Sequence, residues 1–235
     1  MERLRYNLSV LRRLLGQVYP VRLEDLLYYE RLPSYETVYN VLLWYAGPLR
    51  WKEFFDFVNE YGIYQFWNVE YISCLAEEIK SYVGSELVLE VAAGDGMLSY
   101  WLRKYGVNAH ATDSGEWYRP GDRRGVIIKP RAPVEIIDAV SAIRKYKPKM
   151  VIASWLPGDR LDIEIFDEKP PIICLIGEVD GATGSSMFWD TKYWEKAGYK
   201  RVFSKCDEWN LCRTDYISGG EVWRHSFTIF FLRSP

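Results

Sequence analysis

Glu90-Val91-Ala92-Ala93-Gly94-Asp95-Gly96 is the stretch that decides how this chain folds. A short apolar run of strand type, residues 87–91, leads into it. Residues 97–104, which follow, carry a helical pattern closed by Gly106. A Gly-x-Gly turn between a strand and a helix lets the backbone bend sharply and approach a ligand closely, because no Cβ intervenes. In a parallel sheet, ligands bind beyond the carboxyl ends of the strands, where such a turn lies. A dinucleotide fingerprint would add a small residue three places after the second glycine, and Ser99 stands there. The Glu90 carboxylate just before the turn points the other way, toward a positively charged ligand group.

Downstream, short apolar runs alternate with helical patterns. Residues 109–112, 134–137, 150–154 and 172–176 read as buried strands, with helices over 139–145 and 187–197. This alternation predicts βαβ units and a mostly parallel sheet. Residues 201–204 and 227–232 read as two strands joined by a polar loop, best built as an antiparallel hairpin at the sheet edge. The fold class expected is therefore α/β: a Rossmann-like sheet with an antiparallel edge hairpin and a helical N-terminal extension. Upstream, Leu4, Leu8, Leu11 and Leu15 have helical spacing, as do Val38, Val41, Leu42 and Tyr45, then Phe54, Phe55 and Val58. Asn68 is placed to cap a further helix, with Gly84 past its end. Two parts follow: a helical cap over 1–84, on the substrate side, and a ligand-binding domain over 85–235.

Composition bounds the function. Hydrophobic residues make up 49% of the 235, enough for a sizeable core, and the net charge of -2 gives no global footprint for nucleic acid. Arg119, Arg123, Arg124, Lys129 and Arg131 cluster locally; a solvated loop of mixed charge is favoured over a phosphate track. No apolar run reaches membrane-spanning length and no signal core opens the chain, so a cytoplasmic protein is expected. Four cysteines are too few for a disulfide framework. Cys206 and Cys212 are close enough in sequence to pair, but two unrelated thiols in a reducing cytosol are favoured. No His or Cys spacing indicates a metal site, so no metal is expected. A chain with only two glutamines that is rich in Arg, Tyr and Trp leans toward a thermophile source.

Residues 90–96 resemble the first motif of the class I S-adenosylmethionine-dependent methyltransferases: an acidic residue, three small or apolar residues, then Gly-x-Gly. The resemblance covers residues 87–233. It implies that Glu90, Ala92, Gly94 and Gly96 hold the methionine part of S-adenosylmethionine, and that Asp113, after the second strand, accepts both ribose hydroxyls. It places Asp138 and Ala139 against the adenine, although Asp138 reads equally well as an ordinary N-cap. After the fourth strand, Ser154-Trp155-Leu156-Pro157 partly matches the Asn/Asp/Ser-Pro-Pro-aromatic segment of enzymes that methylate amino groups. It has the Ser and one later Pro but lacks the Pro-Pro pair. The resemblance thus implies Ser154 and Trp155 at the cofactor and Ser154 at the acceptor, an amino nitrogen. The alternative for this segment is a turn, with Trp155 packing on the cofactor.

Glu178 follows the fifth strand and is placed to orient or deprotonate an amine, with Thr183 and Ser185 to position it. A flexible lid explains the glycines of this segment equally well. Tyr64 and Trp67 are candidates for an aromatic substrate wall together with Trp155, with core packing as the default for each. His110 reads as structural and Cys174 as buried in the fifth strand. Three functions fit: a methyltransferase on a small molecule, protein or RNA; an aminopropyl transferase on the same scaffold; and a non-catalytic cofactor-binding or partner subunit.

Overall fold

A computed structural model describes residues 22–26, 31–45, 50–116, 130–158, 160–179, 183–218 and 220–234. The first leucine-spaced helix and most of the 119–131 basic cluster lie outside them. A 3-10 turn at Leu23–Leu26 precedes three helices, α1 (Tyr35–Tyr45), α2 (Trp51–Glu60) and α3 (Val69–Val83). The sheet layer then runs β1 (Val88–Glu90), α4 (Met97–Lys104), β2 (Ala109–Asp113), β3 (Glu135–Ile136), α5 (Ala139–Tyr146), β4 (Met150–Ser154), α6 (Leu161–Asp167) and β5 (Ile172–Glu178). It ends with α7 (Ser186–Asp190), α8 (Tyr193–Lys196), β6 (Tyr199–Phe203), a 3-10 helix at Lys205–Trp209, a small hairpin of β7 (Tyr216–Ser218) and β8 (Glu221–Trp223), and β9 (Ser226–Arg233).

Seven strands form one sheet in the order β3-β2-β1-β4-β5-β9-β6. The chain starts in the middle, at β1, and reverses direction of travel between β1 and β4, which makes the crevice at their carboxyl ends the switch point. β9 alone is antiparallel, lying between β5 and β6 with Cys174 opposite Phe230 and Val202 opposite Phe230 on its other side. This is the mostly parallel, Rossmann-like sheet with an antiparallel pair toward its edge that the sequence predicts. Central strands β1 and β4 are buried along nearly their whole length, as continuous apolar runs in a parallel sheet must be.

Each face of the sheet has its own core. On one, α3 and α4 bring Ile72, Leu75, Ile79, Leu98 and Leu102 against Val88, Met150 and Phe230. On the other, α5 to α8 bring Ile143, Phe166, Phe188 and Trp194 against Leu89, Val151 and Phe231. α3 therefore packs as part of the sheet layer although it precedes residue 84. A third cluster joins α1 and α2 to Ile63, Phe66 and Leu211, with Ile217 and Val222 of the β7–β8 hairpin packed on it. The N-terminal helices thus share a core with the long excursion between β6 and β9.

Local signals act where expected. The Asn68 side chain accepts from Tyr71 N at 2.8 Å and caps α3, and Gly84 ends it at φ +59°. The helix expected over 187–197 is broken in two, with Lys192 left-handed at φ +49° between α7 and α8. The expected strand at 134–137 is only two residues long. The cysteine expectation is corrected. Cys206 is joined not to Cys212 but to Cys74 of α3, 132 residues earlier, and Cys212 is a buried free thiol. Pairing followed from α3 packing on the 3-10 helix, which sequence proximity does not encode.

Candidate functional site

A cavity of about 300 Å³ opens at the carboxyl ends of β1 and β4. Its floor is Glu90, Ala92, Ala93, Gly94 and Asp95. Its wall comes from the β4 loop, Ser154 to Gly158, and from Gly62 to Gln65 and Trp67, before α3, and the two segments meet where Trp155 reaches Gln65 and Tyr64. Leu26, Leu32, Met97, Leu98 and Trp101 close the end nearest α4. The volume is at the lower end of the range for small-molecule sites.

The turn after β1 is held by its neighbours. Val91 N donates to Ile152 O, and Ala93 N donates to Thr112 O, so the turn hangs between β4 and β2. Ala92 is left-handed at φ +50°, and Gly94 and Gly96 at +55° and +74°. The two glycines do different work. Gly94 faces the cavity, whereas a Cβ on Gly96 would lie 2.6 Å from Val134 Cγ2. Gly96 is therefore small to admit the 132–134 segment, not a ligand. Asp95 fixes that segment from the turn: its carbonyl accepts from Arg131 N and Ala132 N, and its carboxylate forms an ion pair with the Arg131 guanidinium.

Two buried carboxyls flank the turn. Glu90 is 2% exposed and accepts from Ser99 N at 2.9 Å, in the first turn of α4. Burial pushes its pKa up to about 8. A cationic group brought beside it would therefore be met by a carboxyl ready to give up a proton. Asp113 is fixed in orientation by two backbone donors, Gly94 N at 2.9 Å and Gly115 N at 2.8 Å. It thus ties the end of β2 to the glycine turn. Asp138 caps α5, accepting from Ser141 N at 2.9 Å, and this bond holds its pKa down. Ala139 is the first, buried residue of that helix. Neither Asp113, Asp138 nor Ala139 lines the described cavity.

In the wall, Trp155 is left-handed at φ +56°, an outlier for a bulky residue. Its backbone N donates to Ile176 O at 2.7 Å, and its indole N donates to Gln65 Oε1 at 3.0 Å. Its ring meets that of Tyr64, centroids 5.5 Å apart. Sequence reading missed Gln65. It is buried, and its Nε2 donates to Asn210 Oδ1 and to Leu211 O, while its Oε1 also accepts from Ser226 Oγ at 2.9 Å. The only available signal was its rarity, as one of two glutamines in the chain. Its partners lie 90 to 161 residues away. Backbone bonds reinforce this wall: Phe66 N donates to Leu211 O and Arg213 N to Tyr64 O.

Among the described residues after β5, Thr183 and Ser185 do not line the cavity. Thr183 is buried and accepts from Glu178 N, and a Cβ on Gly177 would touch its hydroxyl. Ser185 caps α7 and donates to the buried Asp162 carboxylate. Both hydroxyls hold the loop in place. Glu178 accepts from Thr214 Oγ1 at 2.6 Å and likewise does not line the cavity. Ser154, Trp155, Tyr64 and Trp67 do line it. His225 is exposed, with Nδ1 2.8 Å from Thr214 O.

Among the described residues, no group of three or more His, Cys, Asp or Glu is arranged to hold a metal ion, and no helix is long and apolar enough to cross a membrane. No family model and no curated protein matches the chain. Solved structures with similar chain traces include a precorrin-6y C5,15-methyltransferase from Geobacter metallireducens, at 14% identity and TM-score 0.42, covering 69% of this chain and 87% of that one. A magnesium protoporphyrin IX methyltransferase from Synechocystis with bound SAM is similar at 12% identity and TM-score 0.43, over 69% and 76%. A putative RNA methyltransferase from Pyrococcus horikoshii is similar at 18% identity and TM-score 0.41, over 69% and 79%.

Proposed function

We propose that this chain binds S-adenosylmethionine and transfers its methyl group to an acceptor seated under the N-terminal helices. The observation that carries this reading is the placement of one cavity on the glycine turn at the switch point, floored by Glu90 and Gly94 and walled by Ser154 and Trp155. A buried carboxyl on the floor suits the ammonium of a sulfonium amino acid. The cofactor, when bound, supplies an electrophilic methyl group; displacement from sulfur is direct, so the protein needs few obligatory side chains.

In this reading Glu90, Ala92 and Gly94 hold the methionine end, with Gly96 supporting the turn from behind. Asp113, its orientation set by Gly94 N and Gly115 N, takes the ribose hydroxyls, and Asp138 and Ala139 flank the adenine. Ser154 accepts a hydrogen bond from the attacking group, an amino nitrogen, and orients it. Tyr64, Trp67 and Trp155 wall the acceptor and exclude water, which strengthens the polar contacts at the reacting atom. Glu178, held by Thr214, is an outer residue that acts on the acceptor only through a neighbour. The functional division is a cap over 1–84 on the acceptor side and a cofactor domain over 85–235, with α3 packed into the latter's core.

Calorimetry with S-adenosylmethionine, its demethylated product and decarboxylated S-adenosylmethionine tests the reading. Micromolar affinity for the first two, with label transfer from methyl-labelled cofactor to a fraction of cell extract, is the expected result. Preference for the decarboxylated form would replace it with aminopropyl transfer, and binding without transfer to any fraction would replace it with a non-catalytic subunit.

A further inference from the structure

At the β4 end, the cavity is lined by two aromatic side chains in contact, Tyr64 and Trp155, and by the Gln65 amide behind them. The Trp155 indole N–H is committed to Gln65 Oε1. The Gln65 amide is itself fully engaged, giving both protons to Asn210 Oδ1 and Leu211 O and accepting from Trp155 and Ser226. A side-chain amide with four partners behind the wall has nothing left for a ligand in front of it. The Tyr64 ring lies against Trp155, with centroids 5.5 Å apart, and is backed by the Arg213 guanidinium at 4.7 Å from its centroid. The rest of that end is Ile63, Leu156 and Pro157, leaving the Ser154 hydroxyl as the polar side chain of the β4 loop that faces the space.

Such a wall selects by shape and stacking, with one polar contact. Aromatic faces favour flat π systems over saturated groups of equal size. The left-handed backbone of Trp155 is what presents its ring here, and the bond to Gln65 keeps the ring from turning. We infer that the acceptor is a small planar aromatic molecule bearing one nucleophilic heteroatom, seated against the Tyr64–Trp155 pair, with Gln65 as the positioning residue that holds the Trp155 ring. This rests on the methyltransferase reading of the same cavity.

The test uses the full chain saturated with S-adenosylhomocysteine, the demethylated cofactor. Naphthalen-2-amine and cyclohexylamine are titrated into it by calorimetry. Binding of the aromatic amine at least tenfold tighter than the saturated one supports the inference, provided that Trp155→Leu and Tyr64→Leu each reduce that preference. Gln65→Glu, which keeps the acceptor for the indole N–H, should retain more of it than Gln65→Leu. Melting curves identify any variant that fails to fold, and the two ring variants serve as independent checks. Equal affinity for the two amines, or no binding of either to protein that does bind S-adenosylhomocysteine, overturns the inference alone. Failure of S-adenosylhomocysteine to bind overturns the cofactor reading, and the inference falls with it.

Discussion

Glu90 is buried on the floor of the cavity, so its charge state bears on stability and, in the proposed function, on ligand binding. Its folded pKa of about 8 stands above its ordinary value of 4.5 because burial disfavours the charge. Between these values the folded chain keeps a proton that the unfolded chain has released, so this carboxyl lowers stability as pH rises through the window and by a constant amount above it. Glu90→Gln should therefore raise the melting temperature at pH 9, by a few kcal/mol of stability at most, while leaving it unchanged at pH 4. The same substitution should weaken S-adenosylhomocysteine binding and flatten its pH dependence. In the wild type, affinity should rise between pH 6 and 8 as the ligand ammonium draws the proton off. Gly96 makes a separate prediction. An alanine there meets both a left-handed backbone and Val134, so Gly96→Ala should cost at least about 1–2 kcal/mol, measured by urea unfolding. These two roles were unequally legible. The glycine turn and its carboxylate could be read from seven residues, but that Gly96 makes room for Val134 depends on a segment that returns from 36 residues further on in the chain, through the Asp95–Arg131 pair.

Among the elements, α3 connects the cap to the sheet. Asn68 caps it and also donates to Trp209 O at 2.9 Å. Asn68→Ala should remove both bonds, at about 1–2 kcal/mol for the cap and about 1 kcal/mol more for the orphaned carbonyl. The melting temperature should fall by roughly 2–4 °C per kcal/mol. The capping half of this was plain from Asn68 and the stripe Ile72, Leu75 and Ile79, because capping and periodicity are local. Its tie to Trp209 was not, since nothing near either residue encodes it. The β7–β8 hairpin escaped notice for a different reason. Its strands are three residues each around Gly219-Gly220, too short for an alternating pattern to stand out from a polar loop. The loop contacts of Thr183 and Ser185 were not legible, because small hydroxyl residues after a parallel strand are as useful for closing a loop as for touching a ligand.

At the scale of the whole molecule, the chain is cross-linked between α3 and the excursion that supports the cavity wall. The Cys74–Cys206 disulfide closes 132 residues, and a loop of that length removes much denatured-state entropy. Cys74→Ser should lower unfolding free energy by about 2–5 kcal/mol, with a matching drop when the wild type is melted in a dithiol reductant and no further drop when the variant is. That the sheet is mostly parallel followed from the alternation of strand and helix patterns, whereas its strand order was not read from them. The site needed long-range information: its floor is local in sequence, whereas its wall is assembled by Gln65 from Trp155, Asn210 and Ser226. The floor of the cavity was accordingly easier to read from the sequence than its wall.

The central claim is that the glycine turn at the switch point, with its carboxyl partners, holds a sulfonium amino-acid nucleoside. Titration of S-adenosylhomocysteine into the wild type and into Asp113→Ala, followed by calorimetry at pH 8, tests it most directly. One site per chain with micromolar affinity in the wild type, and at least a tenfold loss in the variant, are expected. No heat of binding to a folded wild type, or equal affinity in both proteins, would contradict it.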